Sequence, residues 1–557
     1  MSELIKTGAI AGGAVLLATI AALMGPGEIK NDLFSDQGEL FFKDFTDPST
    51  AVDLEVTQFL EGSAEARKFA VRRDSTGRWT IPSHGNYPAD AKDRMAKAAA
   101  LVIGLKKDQC VGERKEDEVA YGVVDPMDAG TAAVGRGTRI TLKNSAGNVL
   151  ADLLIGKEVQ KKAQVRYLRE PGKRRVYAAK LDGEISTKFA DWIETDLLKA
   201  QAYEIQKVTF DNYSVDEQSG SIKKGDTHVV TKDDTGKWAF AGVDATKEEA
   251  NDEKLREIGD TLGQIKIVGV RNKPEGLTAM LEQATGFDAQ ILRQQLQQRG
   301  YFVLRNGKLV SNEGDLLFET KKGVRYTLRF GELVPGDGDA VSAGTADAAK
   351  PKEGEVAKPG NNRYLMVTAE FVEDILGKPA GTRLVKEQLD KRMEARTQIE
   401  AIQRAVEAFR TKNETKLPES LAKLTEKPAE GEALLAELKK DPWGNDYLLS
   451  VQGETYAVVS FAEGNADGGE GNAADVRSDR LPLEDELKKT ADAWTEHERK
   501  VDEGKKEADT LTKRFGPWYY VIDQTLFSKL KPKREDLVKP KAAEPAPGTA
   551  PTTDPGK

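Results

Sequence analysis

Apolar positions in this chain follow two rhythms, a period of two that predicts strands and a period near 3.6 that predicts helices, and the same succession of both occurs twice. FAVRRDSTGRWTI (Phe69–Ile81) and HVVTKDDTGKWAF (His228–Phe240) each read as a strand, an Asp-x-x-Gly turn and a second strand entered through Trp79 or Trp238. A helix follows in both. Ala89–Leu105 carries Met95, Ala98, Leu101, Val102 and Leu105 on one face, and Asn251–Ile265 carries Leu255, Ile258, Leu262 and Ile265. Short apolar strands come next, Cys110–Gly112 and Ile267–Val270. Further on, Ile140–Lys157 corresponds to Leu316–Leu333, with turn glycines at Gly147 and Gly323, and Arg166–Ala179 pairs loosely with Arg363–Phe371.

A duplication of this size is a repeated α+β domain rather than a solenoid unit. The copies fall at 51–200 and 201–376. KFADWIETDLLK (Lys188–Lys199) closes the first, and RFGPWYYVIDQTLFSKLK (Arg514–Lys531) is read as the closure of the second, within a closing segment 514–535. The residues between, 377–513, form an insertion. Its flanks show helical spacing: Leu389–Arg410 through Met393, Ile399, Ile402, Val406 and Phe409, and Glu484–Lys513 through Leu487, Trp494, Val501 and Ala508. Because an inserted domain needs its entry and exit close together, these flanks are expected to pair as a helical stalk. Inside it, 393–481 forms a small α+β module with strands Tyr447–Val451 and Thr455–Ser460 and a Gly-rich, acidic loop, Phe461–Asp475. Pro335–Asn362 and the tail 536–557, most clearly Lys541–Lys557, have the small, polar, Pro-rich composition of disordered segments.

Thr7–Met24 is an uncharged run of 18 residues with Lys6 before it and Glu28, Asp32 and Asp36 after it. It predicts a retained transmembrane anchor, residues 1–26, with the N-terminus inside and the body exported. The fold class expected is therefore α+β: an N-terminal transmembrane helix, two tandem repeats, and the inserted module.

Composition narrows the function. The 557 residues carry 83 Lys and Arg against 92 Asp and Glu, a net charge of -9 with no broad basic patch, so nucleic acid is not an expected partner. Cys110 is the single cysteine and His84, His228 and His497 are the three histidines, which excludes an internal disulfide and argues against a zinc site. Cys110, in an apolar context, is read as a buried, inert thiol. Ser221-Ile-Lys-Lys224 fits Ser-x-x-Lys but lacks every accompanying hydrolase motif. No Walker loop, dinucleotide fingerprint or His-Glu-x-x-His occurs, and the chain is not expected to be an enzyme. Trp79, Trp192 and Trp238 are read as core anchors.

The loop Phe461–Asp475 is the best site candidate, since a hard cation needs several oxygen ligands and a Gly-rich turn lets carbonyls and short acidic side chains converge. Glu463, Asn465, Asp467, Asn472 and Asp475 are the candidate ligands.

Two resemblances add to this reading. The short N-terminal anchor, the GRW and GKW strands, YGVVDP (Tyr121–Pro126), the IGK after a hairpin and FADW (Phe189–Trp192) resemble a family of bacterial membrane-anchored proteins, domain-of-unknown-function family 4340. That resemblance implies association with ABC-type export and gliding-type transport components, and no catalytic residues. Asp441-Pro-Trp-Gly-Asn445, with the strand pair and loop after it, resembles the C-terminal domain of the major pseudopilin of type II secretion systems, whose loop binds calcium. Ser460, Gly468, Gly469, Glu470, Gly471, Ala474 and Asp475 match that loop in place, whereas the family's first loop Asp falls on Gly464. The pseudopilin processing site Gly-Phe-x-x-x-x-Glu is absent from Met1–Met24, so the module resembles a pseudopilin head borrowed as an insertion.

The expected protein is a non-enzymatic, single-pass scaffold or accessory subunit of an envelope transport assembly, in the bacterial inner membrane with its body outside the cytoplasm. Expected partners are the bilayer, through Thr7–Met24, and ABC-type transporter subunits or pseudopilins; calcium is the one cofactor considered. The alternatives are a secretion component that contacts a pseudopilus through the module, and an envelope hydrolase.

Overall fold

The computed structural model describes residues 3–23 and 36–541, apart from 61–63, 131–133, 195, 217–220, 245, 275–276, 278–286, 305–306, 335–340, 343–361, 382, 454 and 470. The period-two segments assemble into two antiparallel sheets of the same plan. In the first copy nine strands run in the order Tyr87–Pro88, Trp79–Ile81, Glu65–Arg73, Asp53–Leu60, Thr138–Lys143, Val149–Glu158, Val165–Arg169, Val176–Lys180 and Gln109–Gly112. The second sheet has eight, in the order Trp238–Phe240, Thr227–Lys232, Ile205–Asp211, Asp315–Thr320, Val324–Val334, Asn362–Phe371, Trp518–Asp523 and Ile267–Asn272. Register sets the apolar positions on one face: Val56 lies opposite Phe69 and Ile140, and Val208 opposite Val230 and Phe318, all six buried. The helices Lys92–Val102 and Asp252–Gly263 cover that face, and one continuous core runs through both copies.

The strand order moves the closing segment. Trp518–Asp523 pairs with Ile267–Asn272 as Val176–Lys180 pairs with Gln109–Gly112, so WYYVID is the counterpart of that strand and not of KFADW. The helix Gln524–Leu530 follows it, where the first copy has the short turn Phe189–Asp191. The insertion therefore occupies one hairpin turn. Asn362–Phe371 and Trp518–Asp523 are antiparallel neighbours, like Val165–Arg169 and Val176–Lys180, and a whole module replaces the tight turn between them.

The flanking helices pack on each other near their N-terminal ends, through Arg392 on Glu484 and Arg396 on Asp485, but only one of them forms the stalk. The entry helix, Lys386–Lys412, lies inside the module, where Ala395, Ile399, Ile402, Ala405 and Val406 pack against Leu421, Leu424, Tyr447, Val458 and Val476. The exit helix, Leu481–Phe515, alone runs from module to body, with Glu484 buried at one end and Gly504, Ala508, Leu511 and Phe515 at the other. At 35 residues it is about 52 Å long. The incoming chain beside it holds only the short 3-10 turn Glu373–Ile375, and its Gly381 carbonyl accepts from Trp494 Nε1 at 3.4 Å. A side chain at Gly504 is excluded by close approach: a Cβ there would lie 2.3 Å from the Lys322 carbonyl and 2.6 Å from the Phe371 ring.

Three other expectations change. The N-terminal helix forms over Glu3–Leu23, but among the described residues no helix is long and apolar enough to cross a membrane. The membrane span expected over Thr7–Met24 is therefore not found among the described residues. The stretches expected to be disordered lie mostly outside the described residues, yet Val341 and Ser342 are buried against Gly269 and Arg271, because the Arg271 guanidinium donates to both of their carbonyls. The tail begins ordered: Arg534–Leu537 is helical and Val538–Pro540 pairs with Glu248–Ala250.

Candidate functional site

Asp441 builds the frame of the loop. Its Oδ1 accepts from the amides of Trp443 at 3.0 Å and Asn445 at 2.7 Å, which closes the Asp-Pro-Trp-Gly-Asn turn over Gly444 at φ 94°. Its Oδ2 accepts from Ser460 Oγ at 2.6 Å, and that hydroxyl in turn accepts from the Ala462 amide at 3.1 Å. Asn445 Nδ2 donates to the Ala462 carbonyl at 3.0 Å. Asp441 and Ser460 are both buried, so the start of the loop hangs from an internal network rather than from solvent. Spacing marks Asp441 only as a turn residue; the buried Ser460 partner is a tertiary contact that spacing does not reveal.

The loop itself consists of two short turns, Ala462–Gly464 and Gly471–Ala473, laid against each other. Glu463, Asn465 and Asp467 are exposed, with Asn465 left-handed at φ 46°. Asp475 is half-buried, and its Oδ2 accepts from the Gly468 amide at 3.0 Å. Its Oδ1 is enclosed without a hydrogen-bond partner. Burial, and the Asp467 carboxylate beside it, hold the Asp475 carboxyl above the ordinary carboxylate range. The structure thus brings Asp467 and Asp475 together, and leaves Glu463 and Asn465 on the opposite turn. The Asn472 side chain lies outside the described residues, as does Glu470. The Ala473 carbonyl lies between the two turns: a Cβ on Gly469 would sit 2.3 Å from it, and one on Gly464 3.3 Å.

Two adjacent carboxylates, one of them with an orphaned oxygen, fit the ligand chemistry of a hard cation. They make an incomplete shell. Among the described residues no three His, Cys, Asp or Glu side chains gather as a metal-ligand group, and Gly464 contributes none. Water and the exposed Glu463 and Asn465 would have to fill the remaining positions. The loop is also wired to the helices, since Arg392 Nη1 donates to the Ala474 carbonyl at 2.7 Å while its Nε and Nη2 grip both oxygens of Glu484 at 2.8 and 2.5 Å.

Other sequence-singled residues fall into place elsewhere. Ser221 and Lys224 are exposed, on and beside a two-stranded ribbon in which Asp216 lies opposite Ser221. Cys110 is half-buried rather than fully buried, and burial pushes its thiol above the ordinary value. Trp192 and Trp238 are core residues, 2% and 4% exposed, whereas Trp79 is only partly buried. One Ser–His pair that sequence spacing could not show lies between the copies: His84 Nε2 is 3.2 Å from Ser342 Oγ and Nδ1 is 3.0 Å from Ser83 Oγ. His84 and Ser342 are both buried, and burial, followed by the nearby Arg271 charge, lowers the imidazole to about 4.

No curated protein matches this sequence. Residues 79–288, which begin at Trp79 in the first copy and run into the second, match the sequence model of a domain of unknown function, DUF4340. Residues 384–479, which hold the entry helix and the whole loop, match that of type II secretion system protein G. The chain thus carries a stretch similar to the DUF4340 domain and, set into the second copy of its duplicated body, a stretch similar to a type II secretion pseudopilin.

Proposed function

We propose that this protein is a non-enzymatic scaffold or accessory subunit of an envelope transport or secretion assembly, and that its body holds the protein G-like module out for a partner. The observation that carries this reading is the exit helix. It is continuous from Glu484 in the module core to Phe515 in the body core, so the module is presented at a fixed angle instead of on a flexible tether. Neither matched family is a known enzyme family. The Ser342–His84 pair does not favour a hydrolase, since its hydroxyl is buried and its imidazole is a weak base.

Attachment to the inner membrane through the N-terminal helix belongs to the same reading. Val15, Leu16 and Leu17 are 67%, 64% and 69% exposed, an apolar surface that water alone does not favour. Calcium at Asp467 and Asp475 would stiffen the loop that faces the partner.

Affinity capture of the full chain from detergent-solubilised membranes tests the proposal. Recovery of ABC-type permease subunits supports the transport scaffold; recovery of pseudopilins supports the second reading, a secretion component, which the protein G match favours. Reproducible recovery of neither class counts against both. Membrane fractionation of the full chain, with and without Leu16→Asp and Leu17→Asp, checks the attachment.

A further inference from the structure

The duplication places Trp79 and Trp238 at the same position of the two hairpins, yet they meet different fates. Trp238 is 4% exposed, with Lys232 Nζ 5.3 Å over its ring and the helix at Gly259 closing against it. Trp79 is left partly open, on the wall of a cleft of about 600 Å³ where the first copy, the closing strand of the second and the end of the exit helix meet. Tyr87 and Trp518 form the apolar floor, rings 5.0 Å apart and edge to face at 68°.

Cationic groups stand beside the aromatic wall of this cleft. Arg514 spends Nη1 on Glu194 at 3.0 Å and Nη2 on the Asp196 carbonyl at 2.8 Å, but its Nε is buried and donates to nothing among the described residues. Lys513 and Arg78 stand exposed at the rim; Arg78 is held by Asp74 of its own turn. Asp74 answers Arg78 and Glu194 answers Arg514, which leaves Lys513 at the rim with Asp90 as the remaining carboxylate of the lining. A partly exposed aromatic face beside the exposed Lys513 ammonium suits a ligand with a flat apolar body and a negative charge.

We propose that this cleft binds an organic anion with a planar apolar group, the ring packing on Trp79 and the anionic group answering Lys513 at the rim. The same chemistry could arrive as a free aryl carboxylate or as an acidic-aromatic segment of a partner protein. Because Lys513 and Arg514 end the exit helix, either would bind where the module joins the body. This inference stands apart from the scaffold reading and from the calcium loop.

The test is calorimetric titration of the full chain with 2-naphthoate, with the peptide acetyl-Glu-Phe-Glu-amide, and with the uncharged 2-naphthylmethanol. We expect binding of at least one anion and much weaker binding of the alcohol. Trp79→Ala should weaken the anion at least ~10-fold. Lys513→Glu, an exposed change that leaves the fold intact, should do so by about tenfold at low salt. Binding by the peptide alone points to a partner segment, and by naphthoate alone to a free metabolite; either supports the site. The proposal is overturned if neither anion binds at millimolar concentration, if the alcohol binds as well as naphthoate, or if binding survives both substitutions.

Discussion

Arg392 on the entry helix and Glu484 on the exit helix form a two-pronged ion pair with side chains 1% and 4% exposed, and the same guanidinium holds the carbonyl of Ala474. One buried residue therefore joins both helices and the end of the candidate loop. Desolvating a pair like this costs nearly as much as the attraction returns, so its presence is weak evidence for net stability. Its strength lies in specification, because removing one partner strands a buried charge.

Arg392→Ala should accordingly destabilise the module by about 3–5 kcal/mol. Denaturant unfolding measures the loss, and hydrogen exchange at 471–476 should rise with it. A joint replacement of Arg392 and Glu484 by Met and Leu should recover much of the stability; recovery no better than the single variant would contradict this account.

Gly504→Ala tests the seat of the exit helix. In an exposed helix interior the change would gain roughly 1 kcal/mol. Here the added methyl meets the Lys322 carbonyl and the Phe371 ring, so the helix must shift and a net loss of about 1–3 kcal/mol is expected. A melting temperature at or above that of the parent would show that the contact is softer than it looks.

His84 predicts acid sensitivity at the junction of the copies. Its folded pKa of about 4 lies below the ordinary value of 6.5, so the unfolded chain binds more protons between those two values. Its contribution is complete above pH 6.5, is lost as the pH falls through about 4, and amounts to about 3 kcal/mol. In His84→Gln the stability-versus-pH curve should be flatter across that window.

Lys273 works in the opposite region. Its ammonium donates to the Phe515 carbonyl at 3.3 Å, the last residue of the exit helix, but burial and then Arg329 lower it to about 7. The unfolded chain binds more protons between pH 7 and 10.5, so stability rises with pH across that range. Lys273→Met should remove the rise, as urea unfolding at a series of pH values would record.

Calcium gives the last prediction. If Asp467 and Asp475 hold the ion, millimolar calcium raises the melting temperature of the full chain, and Asp475→Asn abolishes the shift while leaving Asp441 and its turn intact. An equal shift in Asp475→Asn places the ion elsewhere.

The duplication, the strand and turn spelling and the apolar faces of Lys92–Val102 and Asp252–Gly263 were legible because they are local: period, turn chemistry and capping depend on neighbours in sequence. The family likeness of 384–479 was legible for the same reason, as its turn and loop are continuous in the chain. Contacts distant in sequence were not. WYYVID reads as a closing turn beside KFADW until Ile267–Asn272 is found paired with it across the intervening module. The flanking helices look alike in periodicity, yet only packing decides that one belongs to the module core and the other spans to the body. Trp79 and Trp238 are spelled the same way; which ring is buried and which lines a cleft depends on the surface brought against it. Periodicity fixes which face of an element is apolar, and only the tertiary arrangement decides what that face meets.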